Sequence, residues 1–142
     1  MEATGVRYSG IDVVPELIEH HKNTVRNPRV RFFCADITNH RLPEGDLCLI
    51  RQVFQHLSND EIAKALDNLA NFSWILISED VPRNPKSFNR DKPHGPDVRG
   101  YCGSGVYLDK PPFSRQVREL WSLRLREGAV LRTVLLDQSG TK

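Results

Sequence analysis

The stretch from Asp46 to Leu57, DLCLIRQVFQHL, constrains this chain more than any other. Leu47 to Ile50 form a short apolar run bounded by polar residues, the pattern of a strand covered on both faces. A strand of that kind belongs to a sheet with helices packed against it. Behind it stand Arg51, Gln52, Gln55 and His56, in a polar turn that leads into a helix. Ligands of open α/β sheets bind outside the carboxyl ends of the strands, so this turn is where a site is expected. Each of these residues, taken alone, also reads as an ordinary strand-to-helix connection.

The helix after this turn has a well-defined start. Ser58 is placed as cap and Glu61 as its capping-box partner, with Leu57 and Ile62 spaced as a hydrophobic staple. Ile62, Leu66 and Leu69 then form its inward stripe. Upstream, Val6 to Val14 reads as a strand containing Asp12, and Pro15 opens a helix at the position where a missing N–H costs nothing. Val14, Leu17, Ile18, His21 and Val25 give that helix an apolar face, and Asn27-Pro28 ends it. Val30 to Ile37 is a second strand closing on an acid, Asp36.

Downstream, Trp74 to Ser78 is an apolar and central strand that ends at Glu79-Asp80. Residues 83–105, with Pro85, Pro93, Pro96 and many polar residues, read as a long irregular connection, closed by Pro111-Pro112-Phe113. Such a loop is a candidate lid or substrate loop, or else disordered. Phe113 reads as a packing anchor or a substrate wall. Ser114 to Glu127 has the period of an amphipathic helix with Val117, Leu120, Trp121 and Leu125 inward. Gly128 permits a turn, and Ala129 to Leu136 is a last strand. The alternation predicts an α/β fold with a mainly parallel sheet and helices on both faces, as one domain over residues 1–142 with an irregular insertion at about 83–113.

Composition narrows the partners. The 142 residues carry 20 basic and 18 acidic side chains, a near balance that points to no nucleic acid. The basic residues between Arg115 and Arg132 alternate with Leu and Glu as on a solvated face. No apolar run approaches the ~20 residues of a membrane span, and MEATGVRYSG lacks a signal pattern, so a cytoplasmic location is expected. Cys34, Cys48 and Cys102 are too widely spaced for a zinc site, so no metal is expected. Cys34 and Cys48 read as buried strand thiols, leaving Cys102 as the reachable one.

Two consecutive strands associated with acids carry the most specific chemistry. A carboxylate at the end of the second strand of a nucleotide-binding half accepts hydrogen bonds from ribose hydroxyls, a role that Asp12 fits. Asp12 equally fits a surface acid that caps the helix beginning at Pro15.

Taken together, YSGIDVVPELI at Tyr8 to Ile18, FFCADI at Phe32 to Ile37, DLCLIRQVFQHLSNDEI at Asp46 to Ile62 and the strand WILIS resemble the class I S-adenosylmethionine-dependent methyltransferases. The resemblance covers almost the whole chain, with GSGVYLDKPPF and LRTVLL similar to the insertion and late strand of such enzymes. It implies a three-layer Rossmann-like fold, S-adenosylmethionine as cofactor and methyl transfer to a small-molecule or other acceptor. It further implies that Asp12 holds the cofactor ribose, that Asp36 with the backbone of Ile37 faces the adenine, and that Arg51 and Gln52 border the methionine part. His56 then orients substrate or takes a proton, although a lone histidine near a helix start is commonly structural.

The chain departs from the family pattern in one respect. Gly5 and Gly10 form no G-x-G turn between a strand and a helix, and the family's central first strand has no counterpart. The resemblance therefore implies an incomplete fold, truncated at the amino terminus, with an uncovered sheet edge open to self-association. A non-catalytic binding or assembly module is the alternative of a different class. A nicotinamide-dependent enzyme suits Asp12 but lacks the same glycines.

Overall fold

The computed structural model describes residues 5–125 and 128–141, and the chain divides into two compact units, Met1–Pro43 and Glu44–Lys142. The first unit is a single strand-helix-strand repeat: β1 (Tyr8–Asp12), α1 (Pro15–Thr24) and β2 (Val30–Cys34). β1 and β2 pair in parallel, from Tyr8 opposite Val30 to Asp12 opposite Cys34. Gly10 is required at the centre of β1, because a Cβ there would lie 2.7 Å from the Phe32 ring. Phe32 in turn stacks on His21 of α1, with ring centroids 5.0 Å apart.

Both strands are shorter than their sequence suggests, so Asp12 ends β1 while Asp36 lies two residues beyond β2. α1 stops at Thr24 rather than at Asn27-Pro28, its last turn closed by Thr24 Oγ1 donating to the His20 carbonyl at 2.8 Å. Of its expected apolar face only Ile18 is buried, and Val14, Leu17 and Val25 are exposed. Cys34 is likewise exposed, not buried. A two-stranded sheet carrying one helix offers too little cover to bury either set.

The second unit holds β3 (Leu47–Arg51), α2 (Asn59–Asn68), β4 (Trp74–Pro82), β5 (Arg118–Arg124) and β6 (Ala129–Asp137). Its sheet runs β3-β4-β6-β5. β3 is parallel to β4, whereas β6 is antiparallel to both β4 and β5. The expected mainly parallel sheet is thus corrected to a mixed one. Apolar patterning signals burial, not direction, and the antiparallel half is made by β5 and β6, which lie close in the chain on either side of Gly128 at φ +78°.

The largest correction concerns residues 114–127. The expected helix is absent, and residues 118–124 form β5, with every residue exposed. Residues 126 and 127 lie outside the described residues. The spacing of Leu120, Trp121 and Leu125 satisfies a helical stripe, but among the described residues no layer covers it. Pairing with β6 satisfies backbone groups that would otherwise edge the sheet, and that gain overrides the weak periodicity.

β3 also differs from expectation. Ile50 is 4% exposed, but Leu47 and Leu49 are 47% and 63% exposed, so the strand is covered on one face only. Among the described residues β1 pairs with β2 alone and β3 with β4 alone. Each therefore presents one edge without a ladder.

α2 supplies the cover on the other face of its sheet. Ile62, Ala65, Leu66 and Leu69 are all buried, each larger one stabilising by about 1.5–3 kcal/mol. The capping box is complete: Ser58 N donates to Glu61 Oε2 at 2.8 Å, and Glu61 N donates to Ser58 Oγ at 3.3 Å. The Ser58 N–H, above all, holds the Glu61 carboxyl below its ordinary range. Ser58→Ala is expected to lower stability by about 1 kcal/mol, read as a shift in the urea midpoint at unchanged slope.

The connection from β4 to β5 contains only a single 3-10 turn, Arg99–Cys102, yet it is held internally. Asn89, 4% exposed at φ +50°, takes the Tyr107 N–H on Oδ1 at 2.7 Å and donates Nδ2 to the Tyr107 and Pro111 carbonyls at 2.8 Å each. No described helix is long and apolar enough to cross a membrane.

Candidate functional site

In the first unit, two of the expected cofactor residues come to one end of one parallel pair. Asp12 closes β1, and its carbonyl accepts the Ala35 N–H at 3.0 Å, which brings the turn holding Asp36 alongside. Asp12 Oδ1 accepts the Val14 N–H at 2.9 Å, so this carboxylate does serve the entry to α1. Its other oxygen has no partner among the described residues.

Asp36 is differently placed. Its Oδ1 accepts from Thr38 N and Oγ1 at 2.8 and 2.7 Å, and its Oδ2 accepts Asn39 Nδ2 at 3.3 Å. Both oxygens are thus drawn into the turn that follows β2. The Asp36 N–H meets His40 Nδ1 at 3.0 Å. Ile37 follows in the same turn, half-buried. Asp36 shapes this turn more than it presents a free acceptor.

In the second unit, Arg51, Gln52 and His56 fall on one tight turn between β3 and α2. Arg51 is the last residue of β3 and is exposed. Gln52 leaves the strand at φ +54°, a conformation that costs a residue with a Cβ about 1–2 kcal/mol. Two bonds to β4 hold it there: Gln52 N donates to the Ser78 carbonyl and Nε2 to Asp80 Oδ2, both at 2.8 Å. The other oxygen of Asp80 is buried without a partner among the described residues. Residues Phe54–His56 then form a 3-10 turn, not the start of the α-helix, which begins at Asn59.

His56 is half-buried and near Gln55, whose Nε2 stands 3.4 Å from His56 Nε2. The His56 carbonyl accepts Lys92 Nζ and Gly95 N, each at 3.1 Å. Arg99, 2% exposed, donates Nη2 to the Leu57 carbonyl at 2.7 Å and Nη1 to the Arg90 carbonyl. The irregular segment is therefore docked onto the turn, where it encloses a cleft of about 400 Å³ lined in part by Lys92, His94, Arg99 and Tyr101.

Sequence reasoning treated Glu79 and Asp80 as the end of a strand, but β4 continues through both to Pro82. Glu79 is 2% exposed and faces the turn. The available signal was an acid flanked at alternate positions by Ile75, Ile77 and Val81, all on the buried face. Burial pushes the Cys48 thiol up to about 11, which leaves it unreactive.

Residues 1–72 match a family model described as a methyltransferase domain, half of the chain. No curated protein matches the sequence. Among solved structures, the chain is similar to the N-methyltransferase NodS from Bradyrhizobium japonicum WM9, determined with S-adenosyl-L-homocysteine. The identity is 15% over 92% of this chain and 66% of that one, with a TM-score of 0.62. It is also similar to human N-acetylserotonin methyltransferase, determined with SAM, at 15% identity over 93% of this chain and 40% of that one, TM-score 0.59. At such identities the likeness is one of fold, an α/β Rossmann-like fold that is here incomplete. The chain spans less than two thirds of the length of these neighbours.

Proposed function

The chain belongs to the methyltransferase-domain family, and from that premise we propose that it binds S-adenosylmethionine and transfers its methyl group to an acceptor. The observation that carries the reading is Asp12, a carboxylate at the carboxyl end of a parallel strand with one oxygen left for a ribose diol. The donor set fits there. In the proposal the backbone of Ile37 faces the adenine and Asp36 fixes the turn that presents it. Arg51 and Gln52 border the methionine part. The two similar structures carry the cofactor or its demethylated product, which supports the same assignment.

The bound cofactor supplies a methyl group on a positively charged sulfur, already activated for displacement. What remains for the protein is placement and the exclusion of water, worth on the order of 7–11 kcal/mol when reactants are well aligned. Gln52 and His56, fixed on a turn tied to β4 and to the irregular segment, are suited to placement. His56 orients the acceptor or receives its proton, on giving up its contact with Gln55. Acceptor choice falls to the insertion at 83–113, whose cleft lies beside that turn. The acceptor is proposed to be a small molecule. The Arg118 and Arg124 of β5 flank Glu119 and apolar residues, a poor phosphate track. Three unpaired cysteines suit a reducing compartment, which supports a cytoplasmic location.

Calorimetric titration with S-adenosylhomocysteine tests the reading. Saturable heat from the full chain, reduced at least tenfold in affinity by Asp12→Ala, is the expected result, since the change removes a ribose acceptor worth about 1.5–3 kcal/mol. Absence of binding by a cooperatively folded protein would sink it.

The unladdered edges of β1 and β3 favour a second reading, a binding or assembly module without catalysis. Sedimentation that shows a concentration-dependent dimer together with no binding of the homocysteine product would support the module over the enzyme.

A further inference from the structure

Three consecutive backbone N–H groups of the turn after β3 point to one side chain. Val53 N and Phe54 N donate to Glu79 Oε1 at 3.1 and 2.8 Å, and Gln55 N donates to Glu79 Oε2 at 3.2 Å. We propose that Glu79 is the positioning residue of this turn: its buried carboxylate gathers those three donors and so sets Gln52 and His56, which flank them, in their places. The inference rests on the methyl-transfer reading for its functional consequence, and on the geometry alone for the turn itself.

The physical need is clear from the backbone. The first N–H groups of a helical turn have no partner within it, and here the turn is a 3-10 segment of only three residues. The parallel ladder between β3 and β4 gives its last bond at Gln52. Beyond that point the chain swings away at φ +54°, and the Val53, Phe54 and Gln55 amides face the interior with no ladder to join. β4 meets them with a carboxylate in the register position otherwise filled by Ile75, Ile77 or Val81. A carboxylate offers acceptors on both oxygens. An amide offers one, and its NH2 would face a backbone N–H on the other side. The amide isostere therefore fails here for a reason of polarity and not of size.

Charged neighbours are few. Asp80 stands beside Glu79 on its own strand, and Arg99 of the irregular segment interacts with it at longer range. Arg132, its register partner on β6, is committed to Glu119 and Asp109 at 2.8 and 3.0 Å. His56 follows on the turn itself. Burial raises the Glu79 carboxyl and the three N–H donors lower it, leaving it at about 7. The hold on the turn is accordingly sensitive to pH near neutrality.

The test is a nuclear magnetic resonance comparison of the full chain with Glu79→Gln, joined to calorimetry with S-adenosylhomocysteine. In the wild type, the Val53, Phe54 and Gln55 amide resonances are expected to titrate together with a midpoint near pH 7. In Glu79→Gln they should move, lose the titration and lose protection from exchange, and affinity should fall about tenfold with a flattened pH profile. Unmoved amides in the variant, or moved amides with unchanged affinity and pH profile, would overturn the proposal. Should Glu79→Gln not fold, the wild-type titration decides: amides that do not titrate with Glu79 refute it. A wild-type chain that binds no product analogue defeats the methyl-transfer reading instead, and the amide comparison still decides whether Glu79 holds the turn.

Discussion

Asn89→Ala is expected to lower the stability of the Glu44–Lys142 unit by about 3–5 kcal/mol, the largest effect of any single substitution considered. The side chain is 4% exposed and ties two stretches of the irregular segment together, beside the Asn89 N–H to Gly105 carbonyl and Arg90 N–H to Ser104 Oγ bonds. Its Oδ1 receives the Tyr107 N–H at 2.7 Å, and its Nδ2 serves the Tyr107, Pro111 and Lys110 carbonyls at 2.8, 2.8 and 3.3 Å. Truncation leaves the Tyr107 N–H and the Pro111 carbonyl without their partner, while the Tyr107 and Lys110 carbonyls keep the N–H groups of Lys110 and of Phe113 and Ser114. The cost is about 1–3 kcal/mol for each orphaned group that water does not reach. The alanine must also adopt φ +50°, which adds about 1–2 kcal/mol.

Asn89→Gly separates the two contributions, because glycine takes that φ freely yet supplies no side-chain bond. It should recover only the smaller part. Both tryptophans, Trp74 and Trp121, lie in this unit, so urea unfolding followed by their fluorescence reads it directly. A loss under 1 kcal/mol in both variants would show that the segment is held elsewhere. The consequence reaches the turn, since the Asn89 carbonyl also accepts Asn59 Nδ2 at 2.9 Å at the start of α2.

What the sequence reveals, and what it conceals, follows from the range of the interactions involved. The start of α2 is legible because Ser58, Glu61 and the residues between them make a closed local circuit. Asp12 is only partly legible: the cap of α1 is Val14, which has no side-chain cap bond, and Asp12 instead takes the Val14 N–H on one oxygen ahead of the helix. β5 was misread because its apolar residues satisfy both periods, and the deciding partner is β6, which no local pattern identifies. The exposure of Leu47 and Leu49 was hidden too. An apolar run states what a strand can bury against, and the covering layer is not among the described residues. Glu79 is the clearest case: an acid in WILISED reads as a strand end until three amides from residues 24–26 positions away are found on it.

That same residue gives the second large expectation, a fall in stability as pH rises from about 4.5 to about 7. Burial is the leading cause that moves the Glu79 carboxyl from an ordinary 4.5 to about 7, against the pull of the Phe54, Gln55 and Val53 N–H groups. Within that window the unfolded chain is ionised at this position while the folded chain keeps its proton. The folded state then binds more protons, so unfolding becomes easier with each increment of pH. Below 4.5 both states are protonated and the contribution is fully present; above about 7 both are ionised and it is gone. The difference corresponds to about 3 kcal/mol.

Groups held low act elsewhere on the scale: Glu61, kept down chiefly by the Ser58 N–H, and Asp137, kept down chiefly by the Ser139 hydroxyl, lose their contributions only as pH falls below the ordinary carboxylate range. Subtracting the Glu79→Gln profile from the wild-type profile, each from urea unfolding by tryptophan fluorescence between pH 4.5 and 8, isolates the Glu79 contribution. A difference that declines across the window is the expected result. A flat difference would mean that the three amides just offset burial and leave the carboxyl at its ordinary 4.5, and one that rises with pH would mean that they outweigh burial.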